Sequence, residues 1–446
     1  MRALVAFVLL ALAGAARAAD VEAIAFVAGD LHSAYERTAQ LVARIDRIRA
    51  DNPGVPAVVL LDGDTFEFGN AVARRSEGAV EFALFAALAK RGPTVLNLGN
   101  HEPEFFDMAE TVARIEATGV KVVSNAVDRT TGKPFAPASL RLQLGAREAT
   151  VVGICTDQLA TYRVVVRPTL DLADPVVWAK ANLASLLKDA PLPIILSHAG
   201  LRADRTMLPL VPDGTLFAGA HDHLRFVHRE GRTVYFHSGS WTAWLSVARL
   251  ERATDGPQWD VEQVPIGPDD PADPKITAVV RETMAKFLTA AERAIVGQAP
   301  RTMTPEEAAR FAVHAARVAA GADVAIIGGT TFGAGLPAGD VTRFALDACV
   351  RFDGTLFVGE VEGGQLREML RRTNQGPDTP FAAREGENLV ADAPAEIVPG
   401  RRYRLATSDW IARNPRNYLG EDPPVLQERP DLKLKAAVIA ALAPDK

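Results

Sequence analysis

The sequence predicts an α/β fold in two domains, and three observations support this prediction. Short apolar runs alternate with amphipathic, helix-like stretches from residue 22 to about residue 250. This alternation is typical of a sheet buried between helices. A break rich in proline and aspartate at residues 267–274 then separates this region from a second set of helix and strand patterns. A chain of 446 residues is also longer than one hydrophobic core usually serves.

The first region contains the alternating elements of the predicted sheet. Its strand-like runs are residues 23–28, 57–61, 94–98, 121–124, 150–155, 193–197, 215–218 and 233–237. Its helix-like stretches are residues 34–50, 78–90, 104–117 and 174–187. We therefore expect the first domain to cover residues 20–266.

The second region follows a linker at residues 267–296, in which residues 275–295 have a helical pattern. Thr304 begins the segment Thr-Pro-Glu-Glu, a capping box with proline in the first turn, and this predicts the start of a helix. Apolar strands are predicted at residues 324–327, 356–361 and 403–406. We expect a second, smaller α/β domain at residues 297–446.

The first residues of the chain are typical of a secretory signal peptide. A basic start and an apolar run over residues 3–13 precede small residues at positions 16–18. The apolar run is shorter than a membrane-spanning helix requires. We expect residues 1–18 to be a signal peptide, with cleavage after Ala18 or Ala19. The mature chain would then cross the inner membrane into the periplasm and have no membrane span.

Charge and cysteine content argue against two classes of protein. The formal net charge is −6, and removal of residues 1–18, which hold two arginines and no acidic residue, takes it to −8. An acidic chain without a clustered basic stretch is a poor candidate for binding nucleic-acid polymers. Cys155 and Cys349 are too few for a disulfide scaffold and lie in separate apolar segments. We expect two buried thiols.

Five polar clusters directly follow apolar runs of the first region. They are Asp30-Leu31-His32, Gly63-Asp64, Gly99-Asn100-His101-Glu102, Ser197-His198 and Gly219-Ala220-His221-Asp222-His223. Loops at the carboxyl ends of strands meet at one edge of an α/β sheet, where ligands collect. Five of the eight histidines fall in these clusters, whereas His228, His237 and His314 are interpreted as structural.

The residue types in these clusters predict a site for two divalent metal ions. Carboxylate, imidazole and amide-oxygen donors suit ions such as Zn, Mn or Fe, and several of these ions fit the same donor set. Two ions about 3.5–4 Å apart need a bridging carboxylate with ligands on both sides. Such a pair generates a hydroxide at neutral pH and offsets the charge of an in-line displacement.

The ordered clusters resemble the calcineurin-like metallophosphoesterase superfamily. With its second region, the whole mature chain is similar to the two-domain 5′-nucleotidase family. The resemblance of the second region rests on Ala322-Asp323-Val324, Leu336-Pro337-Ala338-Gly339-Asp340-Val341-Thr342 and Tyr403-Arg404-Leu405-Ala406-Thr407. The resemblance implies a four-layer β-sandwich flanked by helices, followed by a smaller α/β domain that binds substrate.

The resemblance also implies a role for each polar cluster. One metal ion would be held by Asp30, His32, Asp64 and His223, and the other by Asp64, Asn100, His198 and His221, with Asp64 as the bridge. His101 would face the substrate, where it would stabilise the phosphoryl group or protonate the leaving oxygen. Glu104 stands where the family has the aspartate that orients this histidine. Glu102 is interpreted as a supporting or structural residue.

The second region departs from the family pattern in two segments that bind substrate. The arginine of the family's Gly-Gly-x-Arg segment falls on Gly333. The family's Gly-Gly-Asp-Gly-aromatic segment corresponds to residues 414–418, where Arg416 replaces the aspartate and Tyr418 keeps the aromatic side chain. Arg416, Tyr418 and Phe332 are our candidate substrate-binding residues.

The resemblance implies an exported 5′-nucleotidase-like hydrolase of phosphate monoesters, in which a metal-activated hydroxide attacks phosphorus. Its substrate would be a small phosphorylated molecule, with a nucleotide as the family-typical case. One alternative is a cyclic-nucleotide or other phosphodiesterase, or a thiosulfohydrolase-like enzyme of sulfur oxidation. Another is a non-enzymatic binding protein, which predicts eroded metal ligands, whereas every expected ligand position is intact.

Overall fold

The computed structural model describes residues 21–254, 256–386 and 388–443, so the predicted signal peptide lies outside the described residues. The described chain forms two compact units. The first consists of residues 21–67, 77–221 and 225–282, and the second of residues 68–76, 222–224 and 283–443. The division after residue 282 falls inside the predicted linker, and the predicted domain limits themselves stay predictions. No helix among the described residues has the length and apolar character needed to cross a membrane.

Two six-stranded sheets dominate the first unit. The strands up to residue 265 are β1 (Val21–Gly29), β2 (Ala57–Asp62), β3 (Thr94–Asn97), β4 (Lys121–Val123), β5 (Val127–Asp128), β6 (Lys133–Pro134), β7 (Ser139–Leu144), β8 (Arg147–Ile154), β9 (Leu170–Asp171), β10 (Leu192–Ser197), β11 (Leu216–Gly219), β12 (Arg225–Glu230), β13 (Thr233–Ser238), β14 (Trp244–Glu251) and β15 (Gln258–Pro265). The sheet orders are β15-β14-β1-β2-β3-β4 and β12-β13-β11-β10-β8-β7, and β6-β5-β9 form a small third sheet. Strands β1 to β4 are parallel to one another, as are β8, β10, β11 and β13.

Helices of the first unit cover the outer faces of both large sheets. They are α1 (Tyr35–Asp51), α3 (Ala79–Ala89), α4 (Met108–Ala117), α5 (Pro175–Leu186) and α6 (Leu201–Met207). Helix α2 (Ala71–Ser76) belongs to the second unit, and the division between the units falls within α7 (Pro274–Phe287). Helix α5 contacts β8 of the second large sheet. Asp204 of α6 accepts hydrogen bonds from Ser197 of β10 and Tyr235 of β13.

The side chains of β1 illustrate how the layers pack. Ala23, Ala25 and Val27 belong to an apolar cluster that also contains residues of the second large sheet. Ile24 and Phe26 point to the opposite face, in a cluster with residues of α1, α3 and α4. Because successive side chains of a strand point to opposite faces, one strand that is apolar from Ala23 to Ala28 serves both layers. The predicted four-layer arrangement of helices, two sheets and helices is confirmed.

The second unit contains a five-stranded sheet with the order β20-β17-β21-β19-β22 and a two-stranded sheet of β16 and β18. Its remaining elements are α8 (Ala290–Arg293), β16 (Ile295–Ala299), α9 (Pro305–Ala319), β17 (Val324–Gly328), β18 (Gly339–Thr342), α10 (Arg343–Cys349), β19 (Thr355–Glu362), α11 (Gly363–Leu370), β20 (Leu389–Asp392), β21 (Arg402–Ser408), α12 (Asp409–Arg413), α13 (Pro415–Leu419), β22 (Leu426–Lys433) and α14 (Leu434–Ala441). Thr304 and Glu307 form the predicted capping box at the start of α9. Cys155 and Cys349 are both buried free thiols, as predicted.

One predicted helix is divided into two helices in the structure. The helical pattern over residues 275–295 continues only to Phe287, the last residue of α7. Thr289 and Glu292 form a capping box that begins the short helix α8, and Ile295 already belongs to β16. The sequence contains this Thr-x-x-Glu signal, which marks a new helix start within the apparent pattern.

Candidate metal centre

The loops after five parallel strands carry the predicted metal ligands of the first unit. Asp30 directly follows β1, Asp64 and Asn100 follow β2 and β3, and His198 and His221 follow β10 and β11. These strands belong to both large sheets of the sandwich. Of this set, the structure brings Asp30 and Asp64 to His198, and Asp64 and His198 to His221.

The backbone at these positions adopts an uncommon conformation. Asp30, His32, Asp64 and His221 have φ angles of 51°, 47°, 51° and 78°, the left-handed region that non-glycine residues seldom adopt. The N–H groups of Asp30 and His32 donate to the carbonyls of Gly63 and Asp64, at 3.1 and 2.9 Å. Such strained residues persist where the surrounding contacts fix them, and they cluster at functional sites.

Asp64 lies between two imidazoles. Its Oδ2 is 3.1 Å from His198 Nε2 and 4.0 Å from His32 Nε2. Asp30 Oδ1 is 3.8 Å from each of these two nitrogens. One potential ligand atom each of Asp64, His198 and His221 lie within 4.8 Å of one another, and the same holds for His32, Asp64 and His101. This is the arrangement expected of a carboxylate that bridges two metal ions.

Backbone contacts fix the orientation of His198. Its Nδ1 lies 2.7 Å from the carbonyl oxygen of Asp62, so this nitrogen is the hydrogen-bond donor and Nε2 faces Asp64. Asn97 donates to the Asp62 carboxylate at 2.9 Å. A metal-binding histidine usually donates its second ring N–H in this way, because the hydrogen bond sets both tautomer and ring orientation.

Glu102 ties together the loops after β2 and β3. Its carboxylate accepts the N–H groups of Asp64 and Thr65, both at 2.9 Å, and of Gly99 at 2.6 Å. A side chain at Gly99 would clash with the Asp64 carboxylate, which explains the glycine in this cluster. Glu102 therefore organises the backbone around Asp64.

His32 is held by two residues that the sequence patterns do not identify. Its Nδ1 lies 3.3 Å from Glu67 Oε2, and its ring stacks on Trp241 with ring centroids 5.3 Å apart. The backbone N–H of Trp241 also donates to the backbone carbonyl of Asp30 at 2.7 Å. Glu67 follows the Gly-Asp cluster by three residues and is a buried acid, a signal that sequence reasoning can use. Trp241 is about two hundred residues away in the chain, and the sequence contains no signal for its stacking.

His101 and Glu104 form a close pair. His101 Nδ1 lies 2.6 Å from Glu104 Oε1, and the backbone N–H of His101 donates to Asp64 Oδ1 at 2.7 Å. Glu104 lies in the 3₁₀ turn Glu102–Glu104, and α4 begins only at Met108, after an N-cap at Asp107. Burial alone would lower the pKa of His101, but the carboxylates of Asp64 and Glu104 raise it to about 9.

The buried groups of this centre fit divalent cations. The carboxylates of Asp30, Asp62, Asp64 and Glu102 are all nearly inaccessible to solvent. Burial raises the pKa of Asp30 well above its ordinary value and that of Asp62 to about 7. The buried Oδ1 of Asn100 accepts no hydrogen bond from the described residues. A hard or borderline cation would stabilise these closely spaced buried carboxylates and would also bind the Asn100 oxygen.

The remaining candidates belong to the second unit. His223 follows His221 by two residues in the short segment 222–224, which belongs to the second unit, and its role as a ligand stays a prediction. Phe332 is only 4% exposed and packs in an apolar core cluster of the second unit. Arg416 is an exposed residue of α13, and Tyr418 on the same helix accepts a hydrogen bond from Trp410 Nε1 at 2.7 Å.

The three histidines interpreted as structural have separate surroundings. His228 lies on β12, and His314 Nδ1 is 2.8 Å from the Asp392 carboxylate in the second unit. His237 is buried, with Nε2 2.8 Å from Tyr235 Oη and 3.3 Å from Asp204 Oδ2. The His237–Asp204 pair is a further buried polar contact of the first unit that the sequence patterns do not identify.

Two family models match the chain. Residues 25–225 match calcineurin-like phosphoesterase, and residues 296–420 match 5′-nucleotidase, C-terminal domain. No curated protein sequence matches the chain. The two matched families indicate a phosphoester hydrolase.

Solved structures share the two-domain fold at low sequence identity. The chain is 17% identical to a 5′-nucleotidase precursor from Thermus thermophilus, with 94% of this chain and 96% of that chain covered and a TM-score of 0.60. It is also 17% identical to the sulfate thiohydrolase SoxB from the same organism, with 93% and 81% covered and a TM-score of 0.60. A 5′-nucleotidase from Candida albicans is 12% identical, with 95% and 98% covered and a TM-score of 0.58. Residues 25–225 are thus matched by the calcineurin-like phosphoesterase family and residues 296–420 by the 5′-nucleotidase C-terminal domain, and the chain has the two-domain fold of solved 5′-nucleotidases.

Proposed function

We propose that this protein is an exported, dinuclear-metal hydrolase of phosphate monoesters, similar in activity to 5′-nucleotidases. The observation that carries the proposal is the position of the Asp64 carboxylate between the imidazoles of His32 and His198. In the proposal Asp64 bridges two ions. One ion is bound by Asp30, His32 and His223 as well, and the other by Asn100, His198 and His221 as well.

The proposed reaction divides the work between the ions and the protein. Two bound ions would supply a hydroxide nucleophile at neutral pH and offset the charge of the phosphoryl group. His101 would face the substrate, and Glu104 would hold its Nδ1 side so that the opposite ring nitrogen is directed at the ester. His101 could then protonate the leaving oxygen or stabilise charge on the phosphoryl oxygens.

The proposed substrate is a small phosphorylated molecule, with a nucleoside monophosphate as the first candidate. Arg416 and Tyr418 are the residues we propose for its recognition. Arg416 is exposed, and Tyr418 pairs with Trp410, whose side chain is 48% exposed, so an aromatic surface is open to solvent. Phe332 is dropped from the proposal because its ring packs in the core and offers almost no surface for a base.

A second candidate function is hydrolysis of a thiosulfate ester or of a phosphodiester. Gly333 lacks the side chain that would contact a nucleotide phosphate, which weakens the case for a nucleotide substrate. The chain is also as similar in fold to the Thermus sulfate thiohydrolase as to the Thermus 5′-nucleotidase precursor. At 17% identity this likeness concerns the fold alone and does not choose between the substrates.

The test combines metal analysis with a substrate panel. The full chain would be expressed with its N-terminal segment, and cleavage of residues 1–18 would be checked by mass spectrometry of the periplasmic fraction. We expect two divalent ions per chain. Nucleoside monophosphates, p-nitrophenyl phosphate, bis-p-nitrophenyl phosphate and an S-sulfonated cysteine would then be offered. Monoester hydrolysis that stops on chelation supports the proposal. Full activity after exhaustive metal removal contradicts it, and activity confined to the diester or the S-sulfonate selects the second candidate.

A further inference from the structure

Arg163 contacts both the backbone carbonyl and the carboxylate of Glu104, the residue that pairs with His101. One terminal nitrogen of the Arg163 guanidinium donates a hydrogen bond to the backbone carbonyl of Glu104. Arg163 Nε lies 3.9 Å from the Glu104 carboxylate oxygen Oε2, and the other carboxylate oxygen is the one that meets His101 Nδ1. The Glu104 carboxylate therefore links the side chain of Arg163 to that of His101.

Buried neighbours fix the position of Arg163 on an otherwise exposed loop. Tyr162, directly before it, is buried in the core of the first unit, and its hydroxyl donates to the carbonyl of Thr156 at 2.9 Å. Val166, three residues later, is buried in the same core, although Val164 and Val165 between them are exposed. Arg163 thus leaves the chain between two anchors, which limits where its guanidinium can lie.

Glu104 needs such a restraint. Glutamate has one more rotatable bond than aspartate, so holding its carboxylate at one histidine nitrogen costs more conformational entropy. Its Oε2 is buried and accepts no hydrogen bond from the described residues. A guanidinium has its donors in a rigid fork and can restrain a carboxylate and a neighbouring carbonyl together.

We infer that Arg163 is a positioning residue for His101 and acts through Glu104. This inference rests on the proposed function, because it gives His101 the role of proton donor to the leaving oxygen. Arg163 restrains Glu104, Glu104 restrains the Nδ1 side of His101, and the opposite ring nitrogen is thereby aimed at the ester. Arg163 itself touches neither the substrate nor the proposed metal ligands in this scheme.

The experiment compares two phosphate monoesters that differ in their leaving group. Proton donation matters most when the leaving group is a poor one, such as a nucleoside alcohol, and least for p-nitrophenol. For Arg163→Met we expect kcat for a nucleoside monophosphate to fall about 10-fold. We expect kcat for p-nitrophenyl phosphate, both KM values and the metal content to stay near those of the wild type. Equal losses on both esters, or loss of metal, would overturn the inference.

Two control variants separate positioning from a general effect on the loop. Arg167→Met removes a second arginine of the same loop, whose guanidinium donates to the carbonyls of Tyr162 and Ala160. It should not reproduce the leaving-group dependence. In a His101→Asn background, Arg163→Met should have no further effect on kcat, because both changes act on one group. An additive loss in that background contradicts the inference.

The inference and the proposed function can fail separately. If the metal-loaded wild type hydrolyses neither ester, the proposed function is wrong. A crystal structure of Arg163→Met then decides the inference, since Glu104 Oε1 should move away from His101 Nδ1. A Glu104 carboxylate that stays within hydrogen-bond distance of His101 would overturn it. If the wild type is active, the leaving-group comparison decides it.

Discussion

The strand-end loops of the first unit and the substrate segments of the second differ in how tightly their residues are fixed. In the first unit, Asp30, His32 and Asp64 are buried, lie in the left-handed backbone region and are linked by hydrogen bonds between their loops. In the second unit, Arg416 is exposed on a helix of five residues, and its neighbour Tyr418 contacts the exposed Trp410. Many buried contacts therefore fix the residues of the first unit, whereas the candidate residues of the second unit lie on an exposed surface.

This difference explains why one half of the site is easier to identify from sequence than the other. A metal pair needs particular donor atoms in a particular geometry, so few residue types can occupy each position. A substrate can be held by any suitably placed cation or aromatic ring, so the position in the sequence is free to change. The predictions below test whether the first region is as intolerant, and the second as tolerant, as this comparison suggests.

The largest effect is expected for Asp64→Asn. Asparagine keeps the size of the side chain and can still accept the N–H of His101, but it removes the charge placed between His32 and His198. We expect loss of both metal ions and hydrolysis at background level. Asp62→Asn is the matched control, because Asp62 is equally buried but pairs with Asn97. Two ions retained in Asp64→Asn, measured by plasma emission spectrometry, would rule out the bridging role.

His101→Asn should lower kcat without loss of metal. His101 pairs with Glu104 and has no predicted role as a ligand, so removing its imidazole should affect only the chemistry. General acid–base groups contribute about 10²–10⁴-fold to the rate, and we expect kcat to fall within this range. The measurement is steady-state kinetics beside metal analysis of the same preparation. Unchanged turnover, or a variant that has lost an ion, would show that the assignment is wrong.

Glu67→Gln should weaken one of the two metal sites. Glu67 lies 3.3 Å from His32 Nδ1, and carboxylates in this position orient the ring and increase its basicity as a ligand. Loss of such a partner typically costs about 10–100-fold in metal affinity, and we expect this decrease for one ion only. Competition with a chromophoric chelator gives both affinities. Trp241→Phe keeps a ring stacked on His32 and serves as the control. An unchanged pair of affinities in Glu67→Gln would remove Glu67 from the centre.

The limits of sequence reasoning follow the same comparison. The clusters at Asp30, Asp64 and His198 were predictable because apolar runs mark the ends of buried parallel strands, and polar residues at those ends collect at one edge. Strands β12, β14 and β15 were missed because polar residues interrupt each of them and leave no long continuous apolar run. Trp241 and Arg163 were missed as supporting residues because each contacts its partner through tertiary packing, which no local pattern encodes. Phe332 was proposed for its chemistry, and its burial could be known only from the fold.

The smallest effect is expected where the second unit departs from its family. With Gly333 in place of an arginine, we predict weak discrimination among nucleotides, with Arg416 as the compensating cation. A charge-assisted contact from an exposed side chain corresponds to a KM increase of about 10-fold, so Arg416→Ala should raise KM by this factor on the best substrate and leave kcat unchanged.

Tyr418→Ala should raise KM to a smaller extent. Arg413→Ala is the control, since Arg413 is exposed nearby and lies 3.5 Å from Asp409. Unchanged KM and kcat in both Arg416→Ala and Tyr418→Ala would refute the compensation. A sharp preference of the wild type for one nucleoside monophosphate would show instead that its nucleotide recognition is intact without the family's arginine.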